Sequence, residues 1–325
     1  MVEFTVLNCD VLVGLKSLPS DSVDCVFTSP PYWGLRDYGK NGQIGLEETP
    51  QVFVNKLVNI FDEVKRVLKP SGTCFVNIGD TYYTKSGSNF ENDNLNPMSV
   101  EELSKGSGIN KANQVRGNGF LPDKSLCNVP ARFSIGMQDR GWILRNEIVW
   151  FKSSCMPSSV KDRFTVDFEK VFFFVKEKKY FFEQQLEPVK EVSINRVKYG
   201  HKSLGGSPYS KQVDGDDMKR FCNSNGRNMR CVWNINPKPY REAHFACFPP
   251  ALVERGLKAG CPVGGVVLDP FVGSGTTLQV ARDLGMNGIG IELNENYLPL
   301  IEKRLTTNGK GIYLIDKPKL SFVKV

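Results

Sequence analysis

Val266-Val267-Leu268-Asp269-Pro270-Phe271-Val272-Gly273-Ser274-Gly275-Thr276-Thr277 is an apolar run that closes on an acid, passes a glycine-rich turn and enters a helical pattern. Glycines let a ligand approach the backbone, and the first turn of the helix that follows offers N–H groups without intrahelical partners. No Gly-Lys-Ser/Thr follows, so this is not a phosphate loop, and Thr276-Thr277 stands where GxGxxG needs its later glycine. A carboxylate at Asp269 would repel a pyrophosphate but suits the ammonium group of an amino acid moiety. Glu292 ends the next apolar strand, 19 residues after Gly273, where an acid grips ribose hydroxyls. The two acids together point to a nucleoside that carries a cationic amino acid.

Outward from this turn, the chain alternates between strand-like and helix-like periods. Phe4–Cys9, Val23–Thr28, Thr73–Ile78, Trp142–Phe151, Lys170–Val175, Val266–Asp269 and Gly288–Glu292 read as strands. Val11–Leu18, Gln51–Leu68, Val129–Asp139, Ala251–Ala259, Thr276–Leu284 and Glu295–Leu305 read as helices. Such alternation predicts an α/β fold, doubly wound, with helices on both faces of a mostly parallel sheet. Two stretches break the pattern. From Thr84 to Asn128 the composition turns to Ser, Gly and Asn, which predicts a long mobile loop over 84–128. From Asn195 to Arg241 ten Lys or Arg face three Asp, a surplus equal to the net charge of +7 of the whole chain.

A second constellation, Thr28-Ser29-Pro30-Pro31-Tyr32-Trp33, sits at the end of an apolar strand. Two prolines fix the backbone and remove two N–H donors, which leaves carbonyls and the Ser29 hydroxyl as acceptors for the hydrogens of an amine. Tyr32 offers a face on which a planar base stacks, with Trp33 as a second wall.

These two motifs resemble the catalytic and cofactor motifs of the amino-methylating DNA methyltransferases: Asp/Asn/Ser-Pro-Pro-aromatic together with Asp-Pro-Phe-x-Gly-x-Gly-Thr-Thr. Their order, catalytic motif first and cofactor motif last, resembles the circularly permuted β group. The resemblance implies the Rossmann-like methyltransferase fold and the methyl donor S-adenosyl-L-methionine. It assigns catalysis to Ser29, Pro30, Pro31 and Tyr32. It assigns the donor site to Asp10, Thr28, Asp269, Phe271, Gly273, Ser274, Gly275, Thr276, Thr277 and Glu292. Ala243-His244-Phe245-Ala246-Cys247-Phe248-Pro249 resembles the segment that cradles the methionine end, adding His244, Phe245 and Phe248. Met156–Phe164 resembles a loop common in these enzymes. Serine in first place resembles the cytosine-amine methylators, where adenine-amine enzymes carry aspartate. Asp80, which closes the next strand, is read either as an aid to proton removal or as a helix cap. Methylation of a ring carbon needs a cysteine after proline, and none of the nine cysteines follows one.

The implied partner is duplex DNA with its target base flipped out. The basic stretch, interleaved with Tyr199, Tyr209, Phe221 and Trp233, is the expected recognition lobe, cut at 183–242 between catalytic segments 1–182 and 243–325. Expected DNA contacts are Trp33, Arg163, Arg220, Arg227, Asn228 and Arg230, with Lys105, Lys111 and Arg116 in the long loop. A cognate restriction endonuclease is a further expected partner, and the chain is expected as a monomer or homodimer.

Composition bounds the rest. Hydrophobic content of 40% with 24% charge is that of a globular chain. No apolar run is long enough for a membrane span, and no basic-then-apolar leader opens the sequence, so a cytoplasmic location is expected. Cysteines without a CxxC pair suit reduced thiols. The spacing of Cys222, Cys231, His244 and Cys247 matches no common zinc site, so no metal is expected.

Overall fold

The computed structural model describes residues 2–35, 37, 39–84, 119–189, 191, 226–237, 248–307 and 318–325. Most of the 84–128 stretch, and with it Lys105, Lys111 and Arg116, lies outside these residues, as do Tyr199, Tyr209, Arg220, Phe221, Cys222, His244, Phe245 and Cys247.

The chain divides into two compact units, residues 1–182 with 232–325, and residues 183–231. The larger unit holds a nine-stranded sheet. Its strands are β1 (Glu3–Asn8), β2 (Val23–Thr28), β3 (Leu68–Ile78), β4 (Ile143–Phe151), β5 (Phe168–Val175), β8 (Val232–Asn234), β9 (Val266–Asp269), β10 (Asn287–Glu292) and β11 (Lys319–Lys324). They lie in the order β11-β1-β10-β9-β2-β3-β5-β4-β8. β11, β1, β10, β9, β2 and β3 run parallel, whereas β5 is antiparallel to both β3 and β4. Inverting β5 returns β4 to the direction of β3, and β8 pairs parallel to β4. All strands but β5 therefore deliver their carboxyl ends to one edge, and β5 begins there.

The helices are α1 (Val11–Ser17), α2 (Pro50–Val67), α3 (Val129–Asp139), α4 (Pro250–Gly260), α5 (Thr276–Asp283) and α6 (Leu298–Thr306). α2 starts because Thr49 Oγ1 accepts the Val52 N–H at 3.2 Å and Pro50 brings a preset φ to the first turn. Its buried stripe, Phe53, Val54, Leu57, Val58, Phe61 and Val64, follows the helical period and packs with α1 and α3 over Val26, Cys74 and Phe172 of the sheet. Each such Phe or Leu contributes about 1.5–3 kcal/mol by leaving water. Phe27 and Phe75 point to the other face, against α4, where a Cβ on Gly256 would lie 2.6 Å from the Phe27 ring. Only a glycine lets α4 approach that closely, and α4, α5 and α6 form the second layer. Arg282 of α5, 2% exposed, donates from Nη1 to the carbonyls of Arg304, Leu305 and Thr307, and so closes the carboxyl end of α6.

Two expectations are corrected, and one strand is added. The segment expected to be inserted ends earlier than 242, because Val232–Asn234 is a strand of the large sheet, with Trp150 Nε1 donating to Ile235 O at 2.7 Å. The final helix starts with a 3₁₀ turn at Glu295–Tyr297, where Asn294 caps Asn296, and the α-helix begins at Leu298 with Pro299, which lacks an N–H, in its first turn. β11 was not anticipated; it adds a parallel edge strand beside β1.

In the smaller unit, β6 (Leu186–Glu187) pairs antiparallel with β7 (Arg227–Asn228), and Glu187 forms ion pairs with Arg227 and Arg230. Among the described residues, no helix is long and apolar enough to cross a membrane.

Candidate active site

A cavity of about 610 Å³ opens along the carboxyl edge of the sheet. Open α/β sheets bind ligands at that edge, in the crevice where the strand order reverses. Here β9 and β2 are neighbours, so the glycine turn and the Pro-Pro turn, far apart in sequence, become the two halves of one site. Ser29, Pro30, Pro31 and Tyr32 line one half. Phe271, Gly273, Ser274 and Thr276 line the other, joined by Glu292 from β10, Asp10 from the end of β1 and Phe248 from the approach to α4.

Glu292 is 8% exposed and accepts two backbone N–H groups, Gly273 at 2.9 Å and Asn294 at 2.7 Å. Burial pushes its carboxyl up to about 7, against the pull of those two donors, and the nearby Asp269 charge adds to the rise. Glu292 thus fixes the glycine turn and still presents a carboxylate to the cavity. Asp10 accepts from Leu12 and Val13 at 2.8 and 3.4 Å, which starts α1 and leaves its second oxygen beside the cavity.

Asp269 differs from its sequence reading. Its Oδ1 accepts from Thr28 Oγ1 at 2.6 Å and Phe271 N at 3.0 Å, and Oδ2 from Thr277 Oγ1 at 2.7 Å. It is 1% exposed and does not line the cavity, so its carboxylate ties β2, β9 and α5 together rather than facing an ammonium group. Thr28 and Thr277 are its donors and are likewise absent from the cavity wall. Burial pushes the Asp269 carboxyl up to about 6, with its three donors holding it down. Gly275 also serves the scaffold: at φ 84° it occupies the left-handed region that favours glycine, immediately before α5.

The Pro-Pro turn is held by contacts of Tyr32 and Trp33. The Tyr32 ring packs closely on the backbone after β3, where a Cβ on Gly79 would stand 2.5 Å from it. Its hydroxyl lies 2.5 Å from Glu169 Oε2 and 3.1 Å from Asn77 Oδ1. Trp33 corrects the expectation of a second stacking wall: it is 1% exposed and its Nε1 donates to the Glu47 carbonyl at 2.8 Å, so it packs in the core. Asp80 takes the cap reading. Its Oδ1 accepts from Thr81 N and Val129 N, the latter starting α3, and burial raises its pKa against those donors.

Arg163 is exposed, its guanidinium 3.7 Å from the centroid of the Tyr82 ring, on a loop whose Met156 and Phe164 are almost wholly exposed. Arg227, Asn228 and Arg230 belong to the smaller unit described above.

Asn77, Trp150, Lys152 and Glu169 also line the cavity and escaped the sequence reading. They sit at strand ends, but which ends share an edge depends on the antiparallel β3-β5-β4 pairing, a long-range property. Lys40, Gln43 and Ile44, from the connection between β2 and α2, complete the wall.

A nucleoside with an amino acid tail fits these residues. The volume falls within the usual range for small-molecule sites, roughly 300–1,000 Å³. Phe271, Phe248 and Tyr297 supply apolar walls, and Glu292 and Asp10 supply acceptors.

Residues 23–303 match the DNA methylase family of N6 and N4 methyltransferases. Type II methyltransferase M.Cfr9I of Citrobacter freundii is 40% identical over 314 residues, covering 96% of this chain and 90% of its own length. Type II methyltransferase M.XycI of Xanthomonas campestris pv. cyanopsidis is 39% identical, with the same coverage. Among solved structures, PvuII DNA methyltransferase, described as cytosine-N4-specific, superposes with a TM-score of 0.60 at 20% identity over 94% of this chain and 89% of that one. A putative DNA modification methylase of Thermus thermophilus, solved with S-adenosyl-L-methionine, gives 0.59 at 22% identity over the whole of both chains. The two structures share the fold.

Proposed function

From the premise that the chain belongs to the N6/N4 DNA methylase family and is a DNA methyltransferase of the Type II restriction-modification kind, we propose that it methylates the exocyclic N4 amine of cytosine. Its methyl donor is S-adenosyl-L-methionine, which brings a sulfonium-activated methyl group to the site when bound. The carrying observation is that Ser29-Pro30-Pro31-Tyr32, headed by a hydroxyl and not a carboxylate, lines the same cavity as the glycine turn.

The residues suit the chemistry. The lone pair of an aromatic amine is delocalised into its ring, so the amine is a poor nucleophile. In this reading Ser29 Oγ and the Pro30 carbonyl accept its two hydrogens, which favours a pyramidal nitrogen and directs the lone pair. No covalent intermediate on the protein is needed. Tyr32, fixed through its hydroxyl, is the platform for a base taken out of the duplex. Asp10, Phe248, Phe271, Gly273, Ser274, Thr276 and Glu292 line the part of the cavity assigned to the donor, on the scaffold built by Thr28, Asp269, Gly275 and Thr277. Residues 183–231, with Arg227, Asn228 and Arg230, and the loop carrying Arg163 are assigned to DNA.

Incubation with tritium-labelled S-adenosyl-L-methionine and mixed-sequence duplex DNA, followed by nucleoside mass spectrometry, tests the assignment. N4-methylcytosine is the expected product. N6-methyladenine would keep the fold and the mechanism and overturn the base.

A further inference from the structure

Three side chains not used in the transfer step above join Tyr32 in one hydrogen-bonded wall of the cavity. Lys152, just past the end of β4, forms an ion pair with Glu169 Oε1 of β5. Glu169 Oε2 accepts from the Tyr32 hydroxyl and, at 3.1 Å, from Asn77 Nδ2, while the Asn77 side chain also donates to Lys170 O. The side chains of Lys152 and Glu169 are each only 19% exposed. Lys152 Nζ lies 4.3 Å from the centroid of the Trp150 ring, so one cation is bracketed by a carboxylate and an aromatic face. Enclosing such a pair sacrifices hydration that its mutual attraction scarcely restores, which makes stability a weak reason for its presence.

We propose that Lys152 reads the target base by donating to the N3/O2 edge of cytosine, and that Glu169 orients it and offsets its charge; this rests on the cytosine-N4 reading. Beside its amine, cytosine offers two successive acceptors, N3 and O2. Adenine offers N1 and then a carbon-bound hydrogen. An ammonium carries three donors and no acceptor, so it complements the first pattern and not the second. A lone cation there would oppose the positive charge that develops on the amine during methyl transfer. Paired with Glu169, it reads the base from a unit with no net charge. Lys152 is then a specificity-determining residue, and Glu169 a positioning residue that acts on both Lys152 and Tyr32.

Mapping the modified positions in plasmid DNA methylated by the wild-type chain identifies the base and the site without reference to Lys152. Duplex oligonucleotides then carry, at the target, either cytosine or an analogue lacking the 2-oxo group. In single-turnover assays, Lys152→Met is expected to slow cytosine methylation by roughly 10- to 100-fold. On the analogue, which the wild-type chain already methylates slowly, the same variant causes a smaller loss, because only the contact to N3 remains to be removed. Lys152→Arg, which keeps the charge, retains the preference for cytosine over the analogue. Glu169→Gln lowers the rate constant for methylation and leaves the KM for DNA unchanged. Equal losses on cytosine and analogue would mean a structural role and overturn this proposal alone. Methyl found on adenine with the wild-type chain would overturn the cytosine reading and this proposal with it.

Discussion

Asp269 and Glu292 end adjacent strands of one sheet, are both nearly buried, and are both pushed above the ordinary carboxylate range by that burial. They nevertheless do different work. Asp269 accepts from two threonine hydroxyls and one backbone N–H and turns no atom to the cavity; Glu292 accepts only backbone N–H groups and lines the cavity wall. Burial and motif position alone do not distinguish a ligand acid from a scaffold acid. The supply of nearby side-chain donors does: Thr28 and Thr277 close around Asp269, and Glu292 has no comparable pair.

The largest expected effect breaks the comparison at Asp269. Asp269→Ala strands three buried donors, and the loss should reach roughly 3–5 kcal/mol in urea unfolding without ligand. Glu292→Ala should cost less than about 2 kcal/mol there, because its donors lie nearer the cavity and can reach water. An Asp269→Ala chain that stays as stable as wild type but no longer binds S-adenosyl-L-methionine would reverse the two roles.

The second effect concerns binding. Glu292→Ala is expected to weaken S-adenosyl-L-methionine binding by roughly 10- to 100-fold, the size of a lost hydrogen bond to a charged acceptor, as read by titration calorimetry. Unchanged affinity would place Glu292 with Asp269 in the scaffold.

The same contrast shows what could be read before the structure and why. α2 and strands β1, β2, β9 and β10 are encoded by local apolar spacing, and their ends fall within one residue of the expected places. The pairing of a glycine turn with a Pro-Pro turn was legible because both carry backbone chemistry in a short run. Lys152 and Glu169 were not. Each is a charged residue near a strand end with no motif around it, and only the antiparallel turn of β5 places them together at the carboxyl edge. β8 was hidden for a similar reason, since three residues inside a glycine- and asparagine-rich stretch carry too little period to announce a strand.

A pH series sharpens the comparison further. Both acids have folded-state pKa values raised above 3.8 and 4.5, so between those values and their own titrations the folded chain holds protons that the unfolded chain has released. Stability contributed this way is complete at low pH and is lost as pH rises, with Asp269 finished near pH 6 and Glu292 near pH 7. From pH 6 to 7 the decline, about 1 kcal/mol, belongs mainly to Glu292. Glu292→Gln should flatten that interval in ligand-free urea melts, and Asp269→Asn should leave it sloping. A wild-type chain that gained stability across pH 6–7 would show that Glu292 is ionised throughout.

The smallest functional effect applies the distinction to the neighbouring turn, where Tyr32 and Trp33 stand side by side. Tyr32 lines the cavity, whereas Trp33 is enclosed by the core and donates to the Glu47 carbonyl. Trp33→Phe keeps an aromatic ring but drops that hydrogen bond and some volume, so it should cost about 1–2 kcal/mol in unfolding. Its methylation rate and DNA affinity should match wild type once temperature keeps both chains folded. Tyr32→Phe keeps stacking and loses the contact to Glu169, and so should slow the reaction with little change in stability. If single-turnover measurements instead found Trp33→Phe the slower of the two, the base would stack on the indole, and the wall formed by Glu169, Asn77 and Tyr32 would belong to the scaffold alongside Asp269.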